Sequence, residues 1–209
     1  PIHWAVETGK YKDAGLAVTI ENGKGSGFSL QRVGAGSVQF GISDLPTVLE
    51  GKSKGADVVA VMALYAQSPF GIYWKKSSGI KSVTDLKGKK IGTPPADAAR
   101  QMWPAIAGAV GLKPEDVTFV NIAPEAKVAS LQSGAIDATT HFYNVHYVYE
   151  RTFGADMGFV ALRDIGFNPY GNAFIVNRAF LNSDKDAVAK FVGVTQKAYA
   201  ACVANYKPC

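Results

Sequence analysis

The chain has 209 residues, of which 47% are apolar and 19% charged. This composition is typical of a folded globular protein and excludes a disordered chain. The net charge of +5 is dispersed, and the densest basic cluster, Leu86–Lys90, has no interleaved aromatic residues, so we expect no nucleic-acid-binding surface. No apolar run is long enough for a transmembrane segment, and the longest, Val58–Ala66, predicts a buried strand.

The first part of the chain alternates helical and strand patterns, which predicts crossover units and a largely parallel sheet. Helices are predicted over Ile2–Gly15, from Phe28, and over Leu45–Lys52. Strands are predicted over Leu16–Glu21, Ser37–Ser43 and Ala56–Ala66, the last of them fully buried.

The same alternation returns over about residues 88–162 and predicts a second β-α half. The predicted strands are Phe70–Lys76, the end of Ser82–Thr93, Asp116–Ile122, Ala135–Thr139, Met157–Leu162 and Asn172–Asn177. The predicted helices follow Pro95 as far as Gly111 and cover Pro124–Gly134, His141–Gly154 and Asp184–Tyr206. Gly and Pro in both connections between the halves, near Gln67–Gly71 and Gly166–Gly171, suit a hinge between two lobes.

Loops that follow strands are the candidate binding region, because ligands of open parallel sheets bind beyond the carboxyl ends of the strands. Two of these loops stand out, Gly25-Ser26-Gly27 and Gly92–Asp97. The glycine loop lacks the Lys and Ser/Thr of a nucleotide P-loop. In the second loop the amides of Ala96, Asp97 and Ala98 could bind an anion or a polar ligand edge, or Asp97 could simply cap its own helix.

No catalytic constellation, metal site or cofactor site is predicted. His141 and His146 are five residues apart, a poor spacing for one metal ion if both lie on a helix. The carboxylates of Asp44, Asp97 and Asp137 follow predicted strands and would suit general-acid chemistry or the binding of a cation or amine. The two cysteines, Cys202 and Cys209, could form a small disulfide, typical of an oxidising compartment, or stay as free thiols.

Four stretches together resemble the periplasmic substrate-binding proteins of bacterial ABC importers. They are "TGKYKDAGLAVTIENGKGSG", "GSVQFGISDLPTVLEGKSKGADVVAVMA", "DLKGKKIGTPP" and "VASLQSGAIDATTHFYN". The branch they resemble contains binders of nitrate, taurine, alkanesulfonates and thiamine-pyrimidine precursors, the NMT1/THI5-like group, and the resemblance covers nearly the whole chain. Members of that group start before and continue beyond the segment matched here, so we expect a part of a longer chain, with an incomplete first lobe.

The resemblance implies an α/β, two-lobed periplasmic-binding-protein fold of type II, with a mainly parallel sheet flanked by helices in each lobe. Lobe 1 would comprise residues 1–66 and 169–209, and lobe 2 residues 67–168, with the ligand cleft between them. Residues matching the family's cleft positions are Gly25, Ser26, Ser43, Asp44, Gln67, Ser68, Thr93, Asp97, Thr140, His141, Tyr143 and Asn172.

The function implied by the resemblance is non-enzymatic. The protein would be periplasmic or lipid-anchored outside the cytoplasm, would bind a sulfonate, carboxylate or pyrimidine-type solute, and would deliver it to an inner-membrane ABC permease. Monomer is the family default, and no cofactor is implied. Two alternatives remain: the ligand-sensing domain of a regulator, and an enzyme like the family's eukaryotic pyrimidine synthase, whose iron-associated cysteine-rich motif has no counterpart here.

Overall fold

The structure, a computed structural model, describes residues 1–209 and contains ten α-helices and eight β-strands. The strands are β1 Phe40–Asp44, β2 Val58–Ala63, β3 Phe70–Lys75, β4 Lys90–Thr93, β5 Thr118–Asn121, β6 Ala138–Phe142, β7 Met157–Ala161 and β8 Asn172–Asn177. The helices are α1 Ile2–Glu7, α2 Lys10–Asp13, α3 Ser26–Gly34, α4 Leu45–Ser53, α5 Ala98–Gln101, α6 Trp103–Ala109, α7 Lys127–Ser133, α8 His146–Phe153, α9 Arg178–Ser183 and α10 Lys185–Ala204. The predicted α/β architecture, with two sheets flanked by helices, is confirmed.

The strands form two sheets, the first antiparallel and the second mixed. The first has the order β1-β8-β2 and the second the order β5-β4-β6-β3-β7. In the first sheet, β8 runs antiparallel to both of its neighbours. In the second, β4 is parallel to β5 and β6, whereas β3 is antiparallel to β6 and β7. The prediction of mainly parallel sheets is therefore wrong, because the chain returns after the second sheet and inserts β8 between strands that a simple crossover would have made neighbours.

Strand β2 lies at an edge of the first sheet. Only its first residue, Val58, is buried, so the prediction of a fully buried strand over Ala56–Ala66 is wrong. An apolar run in the sequence does not distinguish a central strand from an edge strand, which has a partner strand on one flank only.

The segment Leu16–Glu21 has no regular secondary structure, which contradicts the predicted strand. A cavity lies between this segment and β1, so no neighbouring backbone supplies the hydrogen bonds that define a strand. Leu16 and Val18 instead pack against the core under the first sheet.

Three predicted helices differ in extent from the observed ones. The N-terminal helix is interrupted at Gly9, which has a positive φ of 73°. The helix after Pro95 is divided into α5 and α6 at Met102, because Pro104 in the first turn of α6 has no N–H to continue the hydrogen-bond ladder. His141 ends up in β6, and helix α8 begins at His146.

The main core packs around the second sheet and includes the fully buried Ile72, Leu86, Ile91 and Trp103. A smaller core joins α1, α2 and α10 to the first sheet through Tyr11, Phe174 and Phe191. None of the helices has the length and apolar character of a membrane span. At the end of α10 a disulfide joins Cys202 to Cys209, which resolves the alternatives left open by the sequence.

Candidate functional site

The candidate site is a cavity of about 760 Å³ where the two sheets meet. One part of the cavity is apolar and lies between residues 16–22 and β1, over Phe174 and Phe191. The other part is polar and is lined by residues from both sides of the molecule: Ser26, Asp97, Lys127, His141 and Asn172. A cavity of this size, mostly apolar with a few convergent polar groups, has the usual character of a small-molecule site.

Asp97 and Lys127 form a buried ion pair in the polar part. The Lys127 ammonium lies 2.9 Å from Asp97 Oδ2 and also donates to the carbonyl of Thr140 at 2.7 Å. Asp97 caps α5 by accepting from the amides of Ala99 and Arg100, and it accepts from the Thr140 hydroxyl at 3.3 Å. Asp97 therefore caps its own helix. Its carboxylate occupies the start of α5, the position at which the sequence analysis also allowed a bound anion.

Asp44 brings a second carboxylate to the seam between the sheets. It ends β1, is 3% exposed, and its amide donates to the Ser26 hydroxyl at 3.0 Å. The hydroxyl of Ser43 donates to the backbone carbonyl of Ser26 at 3.2 Å, which ties the glycine loop to the end of β1. The Asp44 carboxylate itself accepts no hydrogen bond from the protein. Burial, and secondarily the charge of Asp97, raises the pKa of Asp44 to about 7.

His141 is half-buried beside this carboxylate pair. Its Nδ1 lies 3.0 Å from the hydroxyl of Tyr149. Burial lowers the pKa of His141 to about 4, with a further lowering from Lys127 that the charge of Asp97 opposes. The imidazole is therefore neutral at physiological pH.

Three further polar atoms near the seam are buried without a partner: Thr47 Oγ1, Gln101 Oε1 and Asn172 Oδ1. Thr47 lies in the first turn of α4, three residues after Asp44, and Asn172 is the β8 partner of Asp44. Of the three residues only Asn172 lines the cavity. Buried polar atoms are normally hydrogen-bonded, so Asn172 Oδ1 marks a position for a donor from outside the protein.

The glycine loop makes the direct contact across the seam. The amide of Gly27 donates to the carbonyl of Ala96 at 3.2 Å. Gly25 has a φ of 111°, and a Cβ there would overlap the Ala96 carbonyl. A Cβ at Gly27 would meet only the side-chain amide of Gln101. The loop therefore needs glycine at residue 25 to approach Ala96 this closely.

The structure brings together five of the twelve predicted site residues. Gly25, Ser26, Asp97, His141 and Asn172 line the cavity.

The other seven predicted site residues do not line the cavity. Ser43, Asp44 and Thr140 lie directly behind it. The Thr93 hydroxyl turns to the carbonyl of Pro94. The remaining three, Gln67, Ser68 and Tyr143, lie outside it: Gln67 is exposed, the Ser68 amide donates to Asn168, and Tyr143 is 40% exposed beneath Arg163.

Lys127 is a site residue that sequence reasoning missed. It begins α7 and is 4% exposed, and Leu131, one turn later on the same face, is fully buried. A lysine on the apolar face of a helix, in register with a core leucine, is the signal that could have identified it, because lysine is almost never buried without a partner.

Comparisons with known proteins agree with this architecture. A family model described as "NMT1/THI5 like" matches residues 1–207. The formylaminopyrimidine-binding protein of Halalkalibacterium halodurans is 24% identical over 98% of this chain and 62% of its own length. The 4-amino-5-hydroxymethyl-2-methylpyrimidine phosphate synthase THI13 of Saccharomyces cerevisiae is 27% identical over 95% of this chain and 61% of its own length. The chain spans about 60% of the length of the curated relatives it matches.

Solved structures show the same fold. The alkanesulfonate-binding protein SsuA from Xanthomonas axonopodis pv. citri, bound to MOPS, superposes with a TM-score of 0.78 at 19% identity, over 96% of this chain and 70% of that chain. A Candida albicans protein described as having the generic periplasmic binding protein fold gives a TM-score of 0.71 at 16% identity, over 97% of this chain and 68% of that chain.

Proposed function

Because this chain belongs to the NMT1/THI5-like family, we propose that it is the solute-binding component of a bacterial ABC import system. It binds a small organic solute between lobe 1, residues 1–66 and 169–209, and lobe 2, residues 67–168. The cavity at the seam, lined from both sides, supports this reading. So does the hydrogen bond from Gly27 to Ala96, which joins the two lobes as closure around a solute would require.

One observation carries the choice of solute: the polar part of the cavity has an acceptor without a partner, Asn172 Oδ1, and no free cation. Both basic side chains that line the cavity are already paired, Lys127 with Asp97 and Arg32 with Glu21. The acceptor Asn172 Oδ1, by contrast, has no hydrogen-bond donor in the protein. A solute that brings an amino or other N–H group would supply that donor, whereas a sulfonate or nitrate would add negative charge beside Asp44 and Asp97.

The solute class is therefore an amino-bearing organic compound with a flat apolar body, of the aminopyrimidine type. Phe70 and Phe142 line the cavity on the side of His141, and their aromatic rings suit a flat ring. The polar part suits the amino group. The relative named as a formylaminopyrimidine-binding protein is consistent with this class.

Delivery to an inner-membrane permease and a location outside the cytoplasm are parts of the same proposal. The disulfide between Cys202 and Cys209 supports that location, because such bonds persist mainly in oxidising compartments. The disulfide also uses both cysteines of the chain, so these 209 residues offer no thiolate ligands for the iron motif of a pyrimidine synthase.

A thermal-shift panel tests the proposed function. The probes are 4-amino-2-methylpyrimidine, its N,N-dimethylamino analogue, ethanesulfonate and nitrate. The amino compound should raise the melting temperature, since a ligand at 100 times its Kd stabilises by about 2.7 kcal/mol. The dimethylated analogue, which lacks the N–H donors, should not. Stabilisation by ethanesulfonate alone would overturn the proposed solute class. Iron-dependent turnover or loss of a histidine would favour an enzyme of the pyrimidine-synthase type.

A further inference from the structure

Two tyrosine–histidine pairs lie side by side behind the cavity. The Tyr149 hydroxyl is 3.0 Å from His141 Nδ1, and the Tyr73 hydroxyl is 3.3 Å from His146 Nδ1. The two tyrosine rings stack on each other with centroids 3.9 Å apart. Of the two histidines, only His141 lines the cavity.

Hydrogen-bond accounting assigns the proton between Tyr149 and His141. Tyr149 is fully buried, and its hydroxyl has no partner other than His141 Nδ1. If Nδ1 carried a hydrogen, the tyrosine would have to accept it, and the hydroxyl hydrogen of Tyr149 would be buried without an acceptor. Burial also raises the pKa of Tyr149, so the phenol keeps its hydrogen. Nδ1 is therefore the acceptor.

A neutral imidazole that accepts at Nδ1 carries its hydrogen on Nε2. No group of the protein hydrogen-bonds to His141 Nε2. The ring is held by its bond to Tyr149 and by an edge-to-face contact with the tyrosine ring at 88°. His141 thus presents an N–H group to the cavity, in the polar part that Asn172, with its unpartnered acceptor Oδ1, also lines.

We infer that Tyr149 is a positioning residue that fixes His141 as an Nε2–H donor, and that His141 thereby selects a solute with a hydrogen-bond acceptor. This inference rests on the proposed function for its ligand and adds a second requirement to it. The solute must carry a donor toward Asn172 Oδ1 and an acceptor, such as a ring nitrogen or carbonyl oxygen, toward His141. A simple alkylamine meets only the first requirement.

NMR of the ¹⁵N-histidine-labelled protein tests the tautomer without any solute. The wild-type spectrum at neutral pH should show His141 with a protonated Nε2 and an unprotonated, hydrogen-bonded Nδ1. His141→Gln assigns the signals. A wild-type His141 protonated at Nδ1 would overturn the inference outright, whether or not a tyrosine variant folds.

The tyrosine variants test the positioning role. Tyr149→Phe removes the donor to Nδ1 and should produce a mixture of His141 tautomers, whereas Tyr73→Phe, the same change in the stacked neighbour, should leave His141 unchanged. With 4-amino-2-methylpyrimidine as the probe, Kd should rise about tenfold in Tyr149→Phe and stay within about twofold in Tyr73→Phe, as expected for one hydrogen bond. An unchanged His141 tautomer in Tyr149→Phe would refute the role. If wild-type protein ignores the probe while the tautomer is as expected, the proposed solute fails and the assignment of His141 stands.

Discussion

Replacement of Lys127 by methionine should destabilise the protein strongly, because it leaves Asp97 as a buried charge without its counter-ion. Removing one partner of a buried ion pair typically costs about 3–5 kcal/mol. Asp97 keeps three other donors, the amides of Ala99 and Arg100 and the hydroxyl of Thr140. The expected loss therefore lies at the lower end, about 3 kcal/mol. For a chain of this size that is a fall in melting temperature of roughly 6–12 °C.

The assay is differential scanning calorimetry at pH 7, with Asp97→Asn/Lys127→Met as the matched control. Asparagine keeps the helix cap and has no charge to bury, so the double variant should recover about 2 kcal/mol relative to Lys127→Met. Our reasoning about the ion pair would be refuted if Lys127→Met melted within about 2 °C of the wild type. It would equally fail if the double variant were no more stable than the single one.

Two further predictions concern the seam. The pKa of Asp44, about 7, lies above its ordinary value of 3.8, so its contribution to stability is complete below pH 4 and is lost as the pH rises through 7. Asp44→Asn should flatten the fall in unfolding free energy between pH 4 and 8, on the order of 4 kcal/mol; an unchanged urea-denaturation profile would contradict this. Gly25→Ala should weaken solute binding about tenfold or more, through the backbone clash with Ala96 and the loss of the adjoining hydrogen bond. Gly27→Ala should have a small effect, because the flexible Gln101 side chain can move; equal affinities in isothermal titration calorimetry would show that the approach of the glycine loop does not matter.

Local pattern was enough to predict most elements of this fold. The predicted helix and strand over Asp184–Tyr206 and Asn172–Asn177 match α10 and β8, because amphipathic period and apolar runs are properties of neighbouring residues. The prediction of a strand over Leu16–Glu21 was wrong because a strand also requires a partner strand. The cavity separates the backbone of this segment from β1. The position of β8 inside the first sheet depends on contacts between residues far apart in sequence, which the local pattern does not contain.

The candidate site was predicted to a similar extent. Because ligands of parallel sheets bind beyond the carboxyl ends of the strands, the sequence indicated Asp44 and Asp97 as candidates. The structure places these two carboxylates near one another where the sheets meet. The sequence could not show that a lysine from α7 would neutralise Asp97, or that Tyr149 would face His141. Both of these pairings join side chains from different elements, and their partners are set by packing.

The place of β8 between β1 and β2 also sets an order of assembly during synthesis. All five strands of the second sheet lie between Phe70 and Ala161, so that sheet can form as soon as this segment has left the ribosome. β1 and β2 emerge earlier, and the strand that lies between them, Asn172–Asn177, follows the whole second sheet in the chain. Their pairing with β8 can therefore form only after the segment of the second sheet has been made. While they wait, the apolar faces of β1 and β2 are open to wrong partners, so a chain arrested before Asn172 would combine a folded second sheet with two strands prone to aggregation.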